Sequence, residues 1–217
     1  MEQIDAYCER LGPGFWAEPV NALSNAAFLL AAVLALRRRP DDPLCRALAA
    51  VLGVIGVGSF LFHTVATPWA AAADTGPILG FILLYVFAAH RRIWGQGVRA
   101  SLLFTALAVP WIALLTPAFR ALPGFAVSAF YWPVPALILL HAVLLRRRAP
   151  ATARGFLAGA AILTASLIVR SLDGATCDTI PVGTHFLWHI LNAIMLGWMI
   201  EVLGRHRPAL AGGTVRR

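Results

Sequence analysis

Residues 47–66 read ALAAVLGVIGVGSFLFHTVA, twenty consecutive positions without an Asp, Glu, Lys or Arg. A helix needs roughly 20 mainly apolar residues to cross the hydrocarbon core of a bilayer, so this stretch predicts a membrane span over about 46–66. Six similar stretches surround it, over about 20–36, 71–90, 100–117, 125–145, 154–171 and 183–203. Of the 217 residues, 59% are hydrophobic and 13% charged. A soluble domain carries about 45–50% apolar and about 25% charged residues. The expected fold is therefore all-α: a polytopic membrane protein, a seven-transmembrane-helix bundle in a single domain over 1–217. No internal repeat is visible, and no linker is long enough to divide the chain. The first 19 residues carry Glu2, Asp5, Glu9 and Glu18 without a basic start, unlike a cleavable signal peptide.

The connections between these spans alternate in charge. Fifteen arginines fall between spans one and two, three and four, five and six, and after the seventh, against Asp41, Asp42 and Glu201. The other side holds Arg10, Arg120 and Arg170 against Glu2, Asp5, Glu9, Glu18, Asp74, Asp173 and Asp178. By the positive-inside rule the N-terminus is expected outside and the C-terminus in the cytoplasm. Because the basic residues sit at loop ends between apolar runs, the net charge of +8 does not signal a soluble nucleic-acid binder. All 18 basic residues are Arg, which excludes Schiff-base chemistry of the retinal-pigment kind.

The topology divides the six histidines. His90, His141 and His206 fall at cytoplasmic ends, where a lone polar side chain is most simply a helix–helix contact. His63 falls near the outer end of the second span, and His185 and His189 in the first turns of the seventh. Positions i and i+4 share a helix face, so His185 and His189 can grip one ion, with His63 as the third nitrogen. Three protein ligands and an open position are how catalytic zinc is held. Ser59 lies one turn deeper than His63 on the same face. Asp74 opens the third span, where a carboxylate can take a proton from a nucleophilic water and return it to a leaving group. The bland alternatives are a packing serine for Ser59 and a wet helix cap for Asp74.

Gly58-Ser59-Phe60-Leu61-Phe62-His63, Asp74 and His185-Phe186-Leu187-Trp188-His189-Ile190-Leu191 together resemble the alkaline ceramidases, within the adiponectin-receptor-like superfamily of seven-helix membrane hydrolases. Tyr7-Cys8-Glu9 and Ala17-Glu18-Pro19-Val20-Asn21-Ala22-Leu23-Ser24-Asn25 resemble the family's first motif, and the short Arg-only chain resembles its bacterial branch. The resemblance implies a zinc-dependent amide hydrolase. Its zinc is held by His63, His185 and His189, and Asp74 and Ser59 touch the nucleophilic water or the reacting carbonyl. It implies a membrane lipid substrate, ceramide cleaved to a sphingoid base and a fatty acid, with no nucleic-acid partner. It places the protein in the bacterial cytoplasmic (inner) membrane with the active site near the outer face. The acyl chain is expected along Phe62, Trp69, Phe186 and Trp188.

The resemblance also implies a calcium site at Asp5, Glu9 and Glu18, although Asp5 is displaced by one residue and Leu11 stands where the family has an asparagine. Calcium prefers six to eight oxygen ligands, and the alternative is a solvated acidic end. Cys8 and Cys177 fall on the outer side, where disulfides are permitted, and Cys45 on the cytoplasmic side. The resemblance likewise implies a Cys8–Cys177 bridge, the alternative being two free thiols. Three rivals to the hydrolase stand beside it: a seven-helix receptor with a structural zinc site, a bis-histidine haem protein and a proton-coupled transporter. A structural zinc needs neither Asp74 nor Ser59. Ligands at i and i+4 of one helix suit an ion rather than two faces of a macrocycle. A transporter needs ionisable groups through the membrane thickness.

Overall fold

In the computed structural model, residues 3–206 are described; Glu2, Arg207, Arg216 and Arg217, counted in the charge balance above, lie outside them. The elements are α1 (Pro19–Ser24), α2 (Ala26–Arg38), α3 (Pro43–Val65), α4 (Pro68–Arg92), α5 (Val98–Arg120), α6 (Pro133–Leu145), α7 (Pro150–Thr176) and α8 (His185–Arg205), with one 3-10 turn at Ala126–Ser128. Six units are long and apolar enough to cross a membrane, α1 and α2 counting as one.

Proline sets most of the starts. Pro19, Pro43, Pro68, Pro133 and Pro150 each open a helix, where the missing N–H is lost anyway and the fixed φ is already helical. All of these but the helix at Pro133 accordingly begin slightly before the apolar runs suggest. At α3 the cap is complete, because the Asp42 carboxylate accepts from the amides of Leu44 and Cys45, each at 3.1 Å. Arg92 pairs with the same carboxylate from α4 and, by that hydrogen bond, holds it far below the usual carboxylate range.

The fifth stretch departs from the expectation of a span over 125–145. Residues 125–132 form turns, and the helix runs only from Pro133 to Leu145, about 20 Å at 1.5 Å per residue. Pro133 and Pro135 supply no amide to an earlier turn, which disfavours extending the helix backward through them, and Pro133 takes the first helical position instead. Backbone left irregular at membrane depth must be satisfied by protein. Here Arg170 of α7 donates to the Val127 carbonyl at 2.8 Å, and Trp111 of α5 donates to the Pro133 carbonyl at 2.9 Å. Pro110 and Pro117, by contrast, lie inside α5 without ending it.

The long helices pack as a closed ring in chain order, α2 against α3 and so on to α8, which returns to α2 and also touches α3 and α4. Helix α8 is the central one: 61% of its apolar window is buried, against 11% for peripheral α5. Gly58 brings α3 and α4 together, since a methyl group there would overlap the Ala73 carbonyl. That close approach sets Ser59 beside Asp74. Helix α3 stops directly after His63 because Ala66 turns left-handed at φ 50°, and its carbonyl accepts the Ile4 amide at 2.7 Å. The N-terminal segment is thereby laid across the end of the bundle that carries His63 and His185.

Candidate metal centre

His63 projects from the last turns of α3, and His185 and His189 from the first two turns of α8. All three imidazoles are at most 2% exposed. Their ring centroids lie 4.7 to 5.1 Å apart. One nitrogen from each falls within 4.8 Å of the others. Among the described residues this is the one cluster of three or more His, Cys, Asp or Glu with such geometry.

The hydrogen bonding shows which ring nitrogens of the cluster are left free. His63 Nδ1 meets Glu18 Oε2 at 2.6 Å, and His189 Nδ1 meets the Ser24 hydroxyl at 2.7 Å. Ser24 donates its own proton to the Asn21 carbonyl, so its oxygen is left to accept from His189. With both Nδ1 atoms carrying the proton, the Nε2 lone pairs of His63 and His189 are free. Those two atoms and His185 Nδ1 are buried with no hydrogen-bond partner. Buried polar atoms are ordinarily satisfied. Three unpartnered imidazole nitrogens at one point fit a cation that takes one lone pair from each, as a zinc does. A carboxylate or hydroxyl fixing the other ring nitrogen is the usual support for a metal-binding histidine.

The surroundings hold these rings still. Tyr7 stacks on His185 with centroids 3.6 Å apart. Asp173, at the far end of α7 and 3% exposed, accepts from the amides of Cys8, Thr184 and His185 at 3.1, 2.6 and 2.8 Å. A negative group at a helix N-terminus also complements the macrodipole, so one carboxylate anchors α8, its entry loop and the N-terminal segment. Gly183 makes this contact possible: its φ is +65°, and a side chain there would strike the Asp173 carboxylate. Cys8 and Cys177 form a disulfide that spans 169 residues and ties the same segment to the end of α7.

Asp74 and Ser59 lie alongside. The Asp74 carboxyl neighbours the Ser59 hydroxyl and His63, and it lines a cleft of about 180 Å³ together with Tyr7, Phe62, Tyr131, Arg170, His185 and Trp188. Phe62 and Trp188 thus border the cleft as expected. Trp69 does not, being 48% exposed, and Phe186 is half-buried away from the lining.

The three acidic residues assigned to calcium are not brought together. Asp5 is exposed. Glu9 accepts from the amides of Val20 and Asn21 at 2.6 and 2.8 Å. Glu18 accepts from Arg10 Nε at 2.5 Å, from Asn21 and from His63. Burial raises the Glu18 pKa, but the bonds from His63 and Arg10 outweigh it and hold the carboxyl below its usual value. Arg10, 4% exposed, also donates to the carbonyls of Gly12 and His63. A fixed guanidinium therefore supplies the positive charge beside Glu18, and two backbone amides satisfy Glu9. The supports at Glu18, Ser24, Arg10 and Asp173 went unread as such in the sequence; the local signals were Glu18 and Ser24 within the quoted N-terminal motif.

The Ceramidase family model matches residues 7–208 of this chain. No curated protein matches it by sequence. The match covers the N-terminal motif, both histidine segments and every helix between them, so the chain belongs to the Ceramidase family and is a hydrolase of a linear carbon–nitrogen bond in an amide.

Proposed function

We propose that the protein is a zinc-dependent intramembrane hydrolase that cleaves ceramide to a sphingoid base and a fatty acid, working as one seven-helix domain over residues 1–217. The observation that carries this reading is the convergence of three buried, unpartnered imidazole nitrogens beside an unpaired carboxylate. Bound zinc would supply a Lewis acid that polarises a carbonyl and lowers the pKa of a coordinated water to about 7. His63, His185 and His189 would hold it.

The remaining work falls to the chain. Water adds to the amide carbonyl, the carbon–nitrogen bond breaks, and a proton passes to the departing nitrogen. Asp74 takes that proton from the attacking water and delivers it to the amine. Ser59 donates to the carbonyl oxygen as it gains charge, a contact commonly worth about 3–4 kcal/mol. Glu18 and Ser24 keep His63 and His189 in the tautomer that presents Nε2. Below the cleft, the same faces of α4 and α8 continue into an apolar cavity of about 70 Å³ lined by Phe81, Tyr85, Phe156, Met195 and Met199, which suits part of an acyl chain.

The arginine distribution supports an N-terminus outside and a C-terminus in the cytoplasm of a bacterial inner membrane, with the metal site near the outer face. A receptor with a structural zinc is the rival reading. A structural zinc usually has four protein ligands, and among the described residues the cluster offers three. The test is metal analysis by mass spectrometry on purified protein and its His189→Ala variant, followed by a ceramide panel with and without chelator. The native protein should carry zinc and release fatty acid; the variant should do neither. Full turnover in the variant would overturn the assignment.

A further inference from the structure

Arg170 is a cation on a membrane-spanning helix with only neutral partners. Its Nη1 donates to the Val127 carbonyl at 2.8 Å and the Ser128 hydroxyl at 3.1 Å, and Nη2 reaches the Tyr7 hydroxyl at 3.5 Å. The rings of Tyr131 and Trp188 lie 5.4 and 5.6 Å from the guanidinium carbon. Among the described residues no carboxylate comes within 4.0 Å of it. An ionised side chain in a membrane segment is costly and is ordinarily paired, and a guanidinium offers five N–H donors, more than these bonds use.

The same side chain lines the cleft that holds Asp74 and His185. One wall of the cleft thus carries a carboxylate and another a guanidinium, and the two are not salt-bridged to each other. Amide hydrolysis turns one neutral molecule into an amine, which protonates, and a carboxylic acid, which ionises. The two unpaired charges match those two products in sign. We propose that Arg170, with the Tyr7 hydroxyl beside it, is a carboxylate-binding subsite that retains the long-chain fatty acid, so that free fatty acid occupies the cleft and inhibits turnover. This rests on the hydrolase reading for its origin, but binding can be measured without turnover. Arginine suits the task because its planar fork meets both oxygens of a carboxylate.

The experiment is calorimetric titration of the full-length zinc-loaded protein in nanodiscs with palmitate and, separately, with hexadecanol, which has the same chain length and no charge. Palmitate should bind about tenfold tighter or more, the range expected for a hydrogen-bonded charge. Arg170→Met should bring the two affinities within about twofold, while Arg170→Lys should keep a preference for palmitate; zinc content and thermal unfolding of each variant report whether it is folded. If Arg170→Met does not fold, the native protein and the Lys variant still decide. Equal binding of palmitate and hexadecanol by native protein would overturn the proposal. So would a palmitate preference that survives in folded Arg170→Met, or one that disappears when zinc alone is stripped, which would assign the carboxylate to the metal. Tighter binding of hexadecyl phosphate with no palmitate preference would also overturn it. A palmitate preference without any ceramide cleavage would refute the hydrolase reading and leave the subsite standing.

Discussion

The bundle carries histidines at both ends, and the two groups are bonded differently. At one end His90 and His141 are bonded to each other and to the protein: their Nε2 atoms lie 3.4 Å apart, His90 Nδ1 lies 3.0 Å from the Gln96 side-chain amide, and the His141 Nδ1–H donates to the Leu137 carbonyl at 2.9 Å. With the Gln96 amide turned to donate to His90 Nδ1, His90 Nε2–H donates to the His141 Nε2 lone pair. Every ring nitrogen has a protein partner. At the other end His63, His185 and His189 each keep at least one nitrogen without any. Burial alone does not separate the groups, since His90 is also buried at 5% exposure. What separates them is whether the protein has used the lone pairs. A satisfied pair stabilises helix packing; an unsatisfied trio presents lone pairs that a cation could take.

The sharpest way to break this contrast is to remove one imidazole from each end. His63→Ala should abolish zinc binding and reduce amide hydrolysis to background, whereas His141→Ala should keep zinc at the native content, measured by mass spectrometry. Equal zinc loss in both would erase the distinction. Asp74→Asn comes next. It should keep the metal and lower kcat by about 10²–10⁴-fold, the usual weight of a general acid–base group, in a ceramide turnover assay. Glu18→Gln tests whether the support of His63 matters: zinc affinity should fall about 10–100-fold in a competition titration, while Gln96→Ala at the opposite end leaves it unchanged.

Smaller effects sharpen the comparison further. Cys8→Ser should cost about 2–4 kcal/mol of stability through loss of the 169-residue closure, read as a lowered unfolding midpoint with the His90–His141 end unaffected in hydrogen exchange. The smallest effect belongs to calcium. Because Arg10 pairs with Glu18 and backbone amides occupy the Glu9 oxygens, a calcium-selective chelator should leave turnover unchanged, while a zinc chelator removes it. A calcium-dependent rate would show that Arg10 gives way to the ion.

The trio of histidines was legible in the sequence because helix periodicity fixes it: four-residue spacing puts His185 and His189 on one face, and His63 ends an apolar run. Ser59 and Asp74 followed from the same arithmetic. What the sequence hid are bonds between elements remote in the chain. Asp173 appeared only as one negative charge in a tally, yet it holds three amides across as many as 165 residues. Arg170 appeared as one positive charge on the sparser side. Glu18 appeared as a ligand for a second metal, because its role depends on how the N-terminal segment folds back over His63. The fifth span was overread for a local reason: residues 125–132 are apolar enough for a membrane, but Pro133 and Pro135 confine the helix to the residues after them.

The three clustered histidines are split between α3 and α8, and that split has a consequence during synthesis. A nascent chain with all but its last helix inserted carries one of the three imidazoles and no complete chelate. Closure between Cys8 and Cys177 likewise waits until most of the polypeptide has left the ribosome. On the proposed reading, hydrolytic power is thus withheld until translation is nearly over, and the bilayer receiving the half-built protein is spared it.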